Sequence, residues 1–140
     1  MIPRVVDASI AIKWLLPEIH SAAALRILEG RNELFAPDLI WAEAGNVLWK
    51  RVRSGAVSTD NAQALLRDLR RFPITTLPMG SLVESALEIA VSFGRTVYDS
   101  LYLTLALSRQ CQLVTADRRL YNSLRRGPLA PTLLWVEDIP

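Results

Sequence analysis

Leu113-Val-Thr-Ala-Asp117 decides the fold. A short apolar strand runs into a carboxylate where a helix, Asp117 to Arg126, begins. The chain opens the same way: Arg4-Val-Val-Asp7 reads as a buried parallel strand, followed by a helix from Ala8 to Leu16 that Pro17 ends. Leu34-Phe-Ala36, Ile74-Thr-Thr-Leu77 and Thr132 to Val136 supply further strands. Between them the periodicity predicts helices from Ser21 to Leu28, from Pro37-Asp38 to near Gly55, from Ser58 to Pro73, from Ser81 to Phe93 and from Thr96 to about Gln110. Asp38 and Thr96 stand at cap positions, Ser81 and Glu84 have capping-box spacing, and Gly30 and Gly94 are stops. Short strands alternating with helices indicate a parallel α/β sandwich in three layers, with right-handed crossovers and one domain over residues 1–140. Ligands of such sheets bind beyond the carboxyl ends of the strands, where Asp7 and Asp117 stand.

Composition narrows the function. Half of the residues (51%) are hydrophobic and 21% charged, as in a folded globular domain. Net charge is only +2, but the cations are 14 Arg against 2 Lys. Arginine forks suit phosphate, so nucleic acid is permitted as a partner, with plain compositional bias as the alternative. Cys111 is the only cysteine and reads as a small buried hydrophobe in a reducing cytoplasm. His20 is the only histidine, which excludes a histidine-rich zinc site. No apolar run is long enough for a membrane span, and Asp7 and Lys13 interrupt any signal-like segment.

Four acids carry the chemistry. Asp7 and Asp117 are each explicable as helix caps, and Asp99 as the partner of Thr96 in a reciprocal cap. On its helix Asp99 falls on the side of Leu103 and Ala106, away from the polar arc of Ser100, Thr104 and Ser108. Glu43 lies mid-helix, where no cap role exists, and heads a polar seam continued by Asn46 and Lys50; an exposed glutamate or an Arg pair is its plainer reading. One hypothesis covers all four: a carboxylate cage for a hard divalent cation, Mg2+ or Mn2+. Such carboxylates repel one another unless metal neutralises them, so metal binding and ionisation are linked. Lys13, Arg95, Arg118 and Arg119 lie near these motifs as candidate phosphate contacts, with solvated surface charge as the alternative. Trp14, Trp41 and Trp49 read as core or dimer interface.

Val5-Val-Asp-Ala-Ser9, Glu43-Ala-Gly-Asn-Val-Leu48, Thr96-Val-Tyr-Asp-Ser-Leu-Tyr102 and Leu113-Val-Thr-Ala-Asp117 together resemble the PIN-domain ribonucleases, above all the VapC toxins of toxin–antitoxin pairs. The resemblance implies a PIN domain with a mostly parallel five-stranded sheet, and an acidic quartet at Asp7, Glu43, Asp99 and Asp117. It also implies supporting roles for Ser9, Asn46 and Thr115. The implied activity is Mg2+- or Mn2+-dependent endoribonuclease cleavage, restrained by a VapB-type antitoxin, in a homodimer. Asp7 and Asp99, helped by Asp117, would hold the metal, with Glu43 orienting a water or assisting proton removal. Arg119 stands where some members carry a further acid, which weakens a second metal site.

Other classes remain: a free-standing PIN nuclease in RNA processing, or an inert PIN domain that binds RNA or a partner. Receiver-like and phosphatase-like phosphoryl-transfer proteins rank low, because Asp7-Ala8-Ser9 supplies neither paired acids after the first strand nor a second Asp two residues on.

Overall fold

Val5 and Val6 have no exposed surface, because their strand is the middle of the sheet and is covered on both faces. The computed structural model describes residues 1–140. Its strands are β1 (Ile2–Val6), β2 (Asn32–Pro37), β3 (Ile74–Leu77), β4 (Gln112–Thr115) and β5 (Leu133–Trp135). They form one five-stranded sheet in the order β3-β2-β1-β4-β5, and every pairing is parallel. The helices are α1 (Ala8–Leu15), α2 (Ser21–Glu29), α3 (Leu39–Arg53), α4 (Thr59–Leu69), α5 (Val83–Phe93), α6 (Val97–Ser108) and α7 (Arg118–Leu124).

From β1 the chain steps outward through β2 to β3, then crosses back to β4 and on to β5. With right-handed crossovers, that reversal puts α1–α4 on one face and α5–α7 on the other. Contacts agree: α1 packs on α2, α3 and α4, while α6 packs on α5 and on β1, β2 and β4. This is the three-layer α/β/α sandwich. Strand order reverses between β1 and β4, and the crevice at such a switch point is the place for a ligand.

Local signals account for most boundaries. Ser58 accepts from the Asn61 amide at 3.1 Å to start α4, and Gly94, at φ 66°, stops α5 in a left-handed conformation open to glycine. Two expected caps are different in the fold. The Asp38 carboxylate caps no helix; its Oδ1 accepts from the Met79 amide at 3.1 Å and ties the start of α3 to the end of β3. Ser81 makes no capping box with Glu84, because Met79–Ser81 form a separate 3-10 turn and the Ser81 hydroxyl donates to the Pro78 carbonyl. The last strand is shorter than expected, since 3-10 turns at Ala130–Thr132 and Val136–Asp138 flank it.

Helix α6 departs most from its sequence reading. Ser100 and Thr104, expected on a polar arc, are buried, and their hydroxyls have no hydrogen-bond partner. The helix is sandwiched between sheet and α5, so every side from Ser100 to Ala106 is covered. That burial seats the helix carrying Asp99 on the sheet. Trp14 is core, stacked on Phe72 with ring centroids 5.0 Å apart, whereas Trp49 is half-exposed beneath Arg53. Cys111 is partly buried against the core.

Candidate active site

Asp7 follows β1 directly and stands at the N-terminus of α1, where Oδ1 accepts from the Ile10 amide at 3.3 Å. The same oxygen accepts from the Ser9 hydroxyl, and Oδ2 accepts from the Thr115 hydroxyl, each at 2.5 Å. Ser9 Oγ also accepts from the Ala116 amide (2.9 Å), and Thr115 Oγ1 from the Asp117 amide (3.0 Å). These bonds latch the end of β4 to the end of β1. Asp7 is buried, and loss of hydration pushes its carboxyl up to about 6; the Ser9 and Thr115 bonds hold it down, while the Asp117 charge raises it further.

The other three acids reach the same place from different elements. Asp117 caps α7, with Oδ1 accepting from the Leu120 amide at 3.2 Å. The Asp99 amide donates to Thr96 Oγ1 at 3.1 Å, so that half of the expected cap exists. Its carboxylate is not returned to Thr96; Oδ2 pairs with the Arg95 guanidinium at 2.9 Å. Glu43 Oε1 accepts from the Tyr102 hydroxyl at 2.5 Å. Burial raises the Glu43 carboxyl first, and the charges of Asp99 and Asp117 add to this against the Tyr102 bond. Burial and the Glu43 carboxylate push the Tyr102 phenol up, so it stays a donor. All four acids, with Ser9 and Tyr102, line one small cavity of about 70 Å³. An adjoining groove of about 530 Å³ shares Ala8, Glu43 and Asp117 with it and continues along Asn46 and Lys50.

A family model for the PIN domain matches residues 4–123, a span containing all four acids. The chain belongs to the PIN domain family. It is 35% identical over 118 residues to ribonuclease VapC3 of Pyrobaculum aerophilum, covering 83% of this chain and 90% of that one. The crystal structure of PAE2754 from the same organism superposes with a TM-score of 0.69 at 28% identity, over 97% of this chain and 92% of that one. VapBC2 from Rickettsia felis, solved with a DNA fragment from its promoter, gives a TM-score of 0.62 at 13% identity, over 96% of this chain and 98% of that one, and supports the fold alone.

The donor set of this PIN site fits a hard cation: four carboxylates and two hydroxyls, all oxygen, with two carboxyls raised by burial and mutual charge. No three acids converge tightly enough to grip one ion as they stand. Three of the four already have side-chain partners. Arg95 holds Asp99, Tyr102 holds Glu43, and Ser9 and Thr115 hold Asp7. A cation bound there would meet these donors, above all the Arg95 charge.

Of the four candidate phosphate contacts, two stay exposed: Arg118 and Arg119, which follow Asp117 in the first turn of α7, with Arg118 lying over Trp135. Arg95 is turned onto Asp99. Lys13 is buried, its ammonium 2.8 Å from Glu18, whose other oxygen takes Arg51 at 2.6 Å. Glu18 thereby bridges Lys13 of α1 and Arg51 of α3. Asn46 is exposed on the groove wall. Sequence reading missed Tyr102, although its place three residues after Asp99 on one helix was a signal that both reach the same cleft.

Proposed function

We propose that this chain, a single PIN domain over residues 1–140, is a metal-dependent endoribonuclease and the toxin of a type II toxin–antitoxin pair. The observation that carries the reading is the convergence of Asp7, Glu43, Asp99 and Asp117 on one cavity at the switch point of a parallel sheet. Its likeness to VapC3 over most of both chains supports the same reading.

Asp7, Asp99 and Asp117 would hold a divalent cation, Mg2+ or Mn2+, which when bound supplies an activated water and positive charge against the phosphate. Ser9 and Thr115 fix the Asp7 carboxylate between two strand ends. Tyr102 occupies Glu43 Oε1 and leaves Oε2 for a water or a proton. A carboxyl raised by burial is a better proton acceptor near neutral pH, so Glu43 is the general base of this scheme. Arg118 and Arg119 sit at a helix N-terminus, where cations oppose the dipole. A passing phosphate offsets that conflict.

A VapB-type antitoxin is the proposed partner, and the Arg95–Asp99 pair is an internal precedent for a cation entering the acidic cleft. Homodimerisation fits the exposed Val83, Leu87 and Val91 on α5. No helix is long and apolar enough to cross a membrane, and the unpaired Cys111 suits the cytoplasm we assign. One observation favours a second reading, an inert RNA- or partner-binding domain: the acids are all tied to protein donors. Incubation of purified protein with RNA and Mn2+ separates the two. Cleavage that Asp7→Asn or Asp99→Asn abolishes supports the enzyme; equal cleavage by wild type and variants identifies a contaminant and removes the assignment. A short neighbouring gene for a DNA-binding protein distinguishes a toxin from a free-standing nuclease.

A further inference from the structure

The groove beside the acid cavity has a use that the four acids do not explain. Tyr98, in the first turn of α6, is 61% exposed and forms one wall; Asn46 and Lys50 of α3 stand along the groove, with Leu39 and Val47 as its apolar lining. At about 530 Å³ it falls within the roughly 300–1,000 Å³ of small-ligand sites. Glu43 and Asp117 close the end that joins the acid cavity.

We infer that this groove is a nucleobase subsite, holding one unpaired base next to the scissile phosphate, with Tyr98 as its stacking face. The inference rests on the ribonuclease reading above for the identity of the polymer. Electrostatics selects the occupant. Without a cation a phosphate at the Glu43–Asp117 end would face two carboxylates, whereas a neutral base meets no like charge there in either state and brings a π-face to the tyrosine ring. The Asn46 amide can donate to and accept from base edges. Lys50, two turns beyond Glu43 and so about 10 Å along α3, is placed for the next backbone phosphate. An exposed aromatic alone needs no explanation. This one forms a wall of the only groove that opens into the acid cavity.

The test is a cross between protein and RNA variants, read by fluorescence anisotropy with the full chain and a labelled single-stranded RNA octamer. One abasic nucleotide is moved along the octamer. Wild type should lose about 5- to 150-fold in affinity at one abasic position, the range for one base–aromatic stack. Tyr98→Ala should lose a similar factor with intact RNA and show a much smaller further loss with that abasic RNA, the remainder being the Asn46 contacts; Tyr98→Phe, which keeps the ring, should rescue both. Where cleavage is followed, Tyr98→Ala should raise KM far more than it lowers kcat. Equal abasic penalties in wild type and Tyr98→Ala overturn the subsite. So does a Tyr98→Ala defect confined to binding a protein partner. Binding that follows the predicted pattern with no cleavage by wild type upholds the subsite while removing the nuclease reading.

Discussion

Tyr102 donates its hydroxyl to Glu43 Oε1 across 2.5 Å, joining the buried helix α6 to the acid on α3. The two residues are 59 apart in sequence, and the bond sets which Glu43 oxygen is available to the cleft. Tyr102→Phe keeps the packing and deletes the donor. Hydrogen bonds to charged groups are worth about 1.5–3 kcal/mol, so kcat should fall roughly 10- to 100-fold. Glu43→Gln with Tyr102→Phe should be no slower than Glu43→Gln alone. Additive losses in that double-mutant cycle would mean that Tyr102 acts elsewhere.

Asp7 predicts an unusual pH profile for the metal-free protein. Its carboxyl is raised from 3.8 to about 6. Below about pH 4 both folded and unfolded chains hold the proton. Between there and about pH 6 the unfolded chain releases it first, so this group's contribution to stability falls as pH rises, then stays constant. Asp7→Asn should therefore raise the stability of metal-free protein at pH 7.5 by about 1–3 kcal/mol while abolishing cleavage. Thermal melts with and without Mn2+ check this: Mn2+ should stabilise wild type and leave the variant unmoved. A lower Tm for metal-free Asp7→Asn at pH 7.5 contradicts it.

In the proposed scheme Arg95 would compete with metal for Asp99. The pair keeps side-chain exposures of 22% and 24%, so water still screens it and its net worth is about 1 kcal/mol. Arg95→Gln should tighten Mn2+ binding about 3- to 5-fold in calorimetry. Weaker binding would assign Arg95 a supporting role at the metal instead.

Lys13 is predicted to serve stability, not RNA. Glu18→Ala leaves a buried ammonium without its carboxylate and should cost about 2–4 kcal/mol in denaturant unfolding. Lys13→Met should leave RNA affinity and its salt dependence unchanged. A reduced salt slope would return Lys13 to the phosphate contacts.

Much of this was legible because period and punctuation agree. Val5-Val6 and Leu113-Val114 are short apolar runs ending in a carboxylate, and both became central strands pointing at one site. Glu43 was legible because no cap could explain it. What escaped depended on contacts distant in sequence. Asp38 was drawn to the Met79 amide, Lys13 to Glu18, and Ser100 and Thr104 under α5, and no local pattern encodes which surface will be covered. Tyr102 is core, and only the fold shows that its hydroxyl emerges on Glu43.

The most direct test is anomalous diffraction from crystals soaked in Mn2+. The account predicts a peak within the cavity between Asp7, Asp99 and Asp117, with the Arg95 guanidinium displaced from Asp99, and no such peak in Asp99→Asn. A manganese peak elsewhere, or none in this cavity under conditions where the protein cleaves RNA, would contradict it.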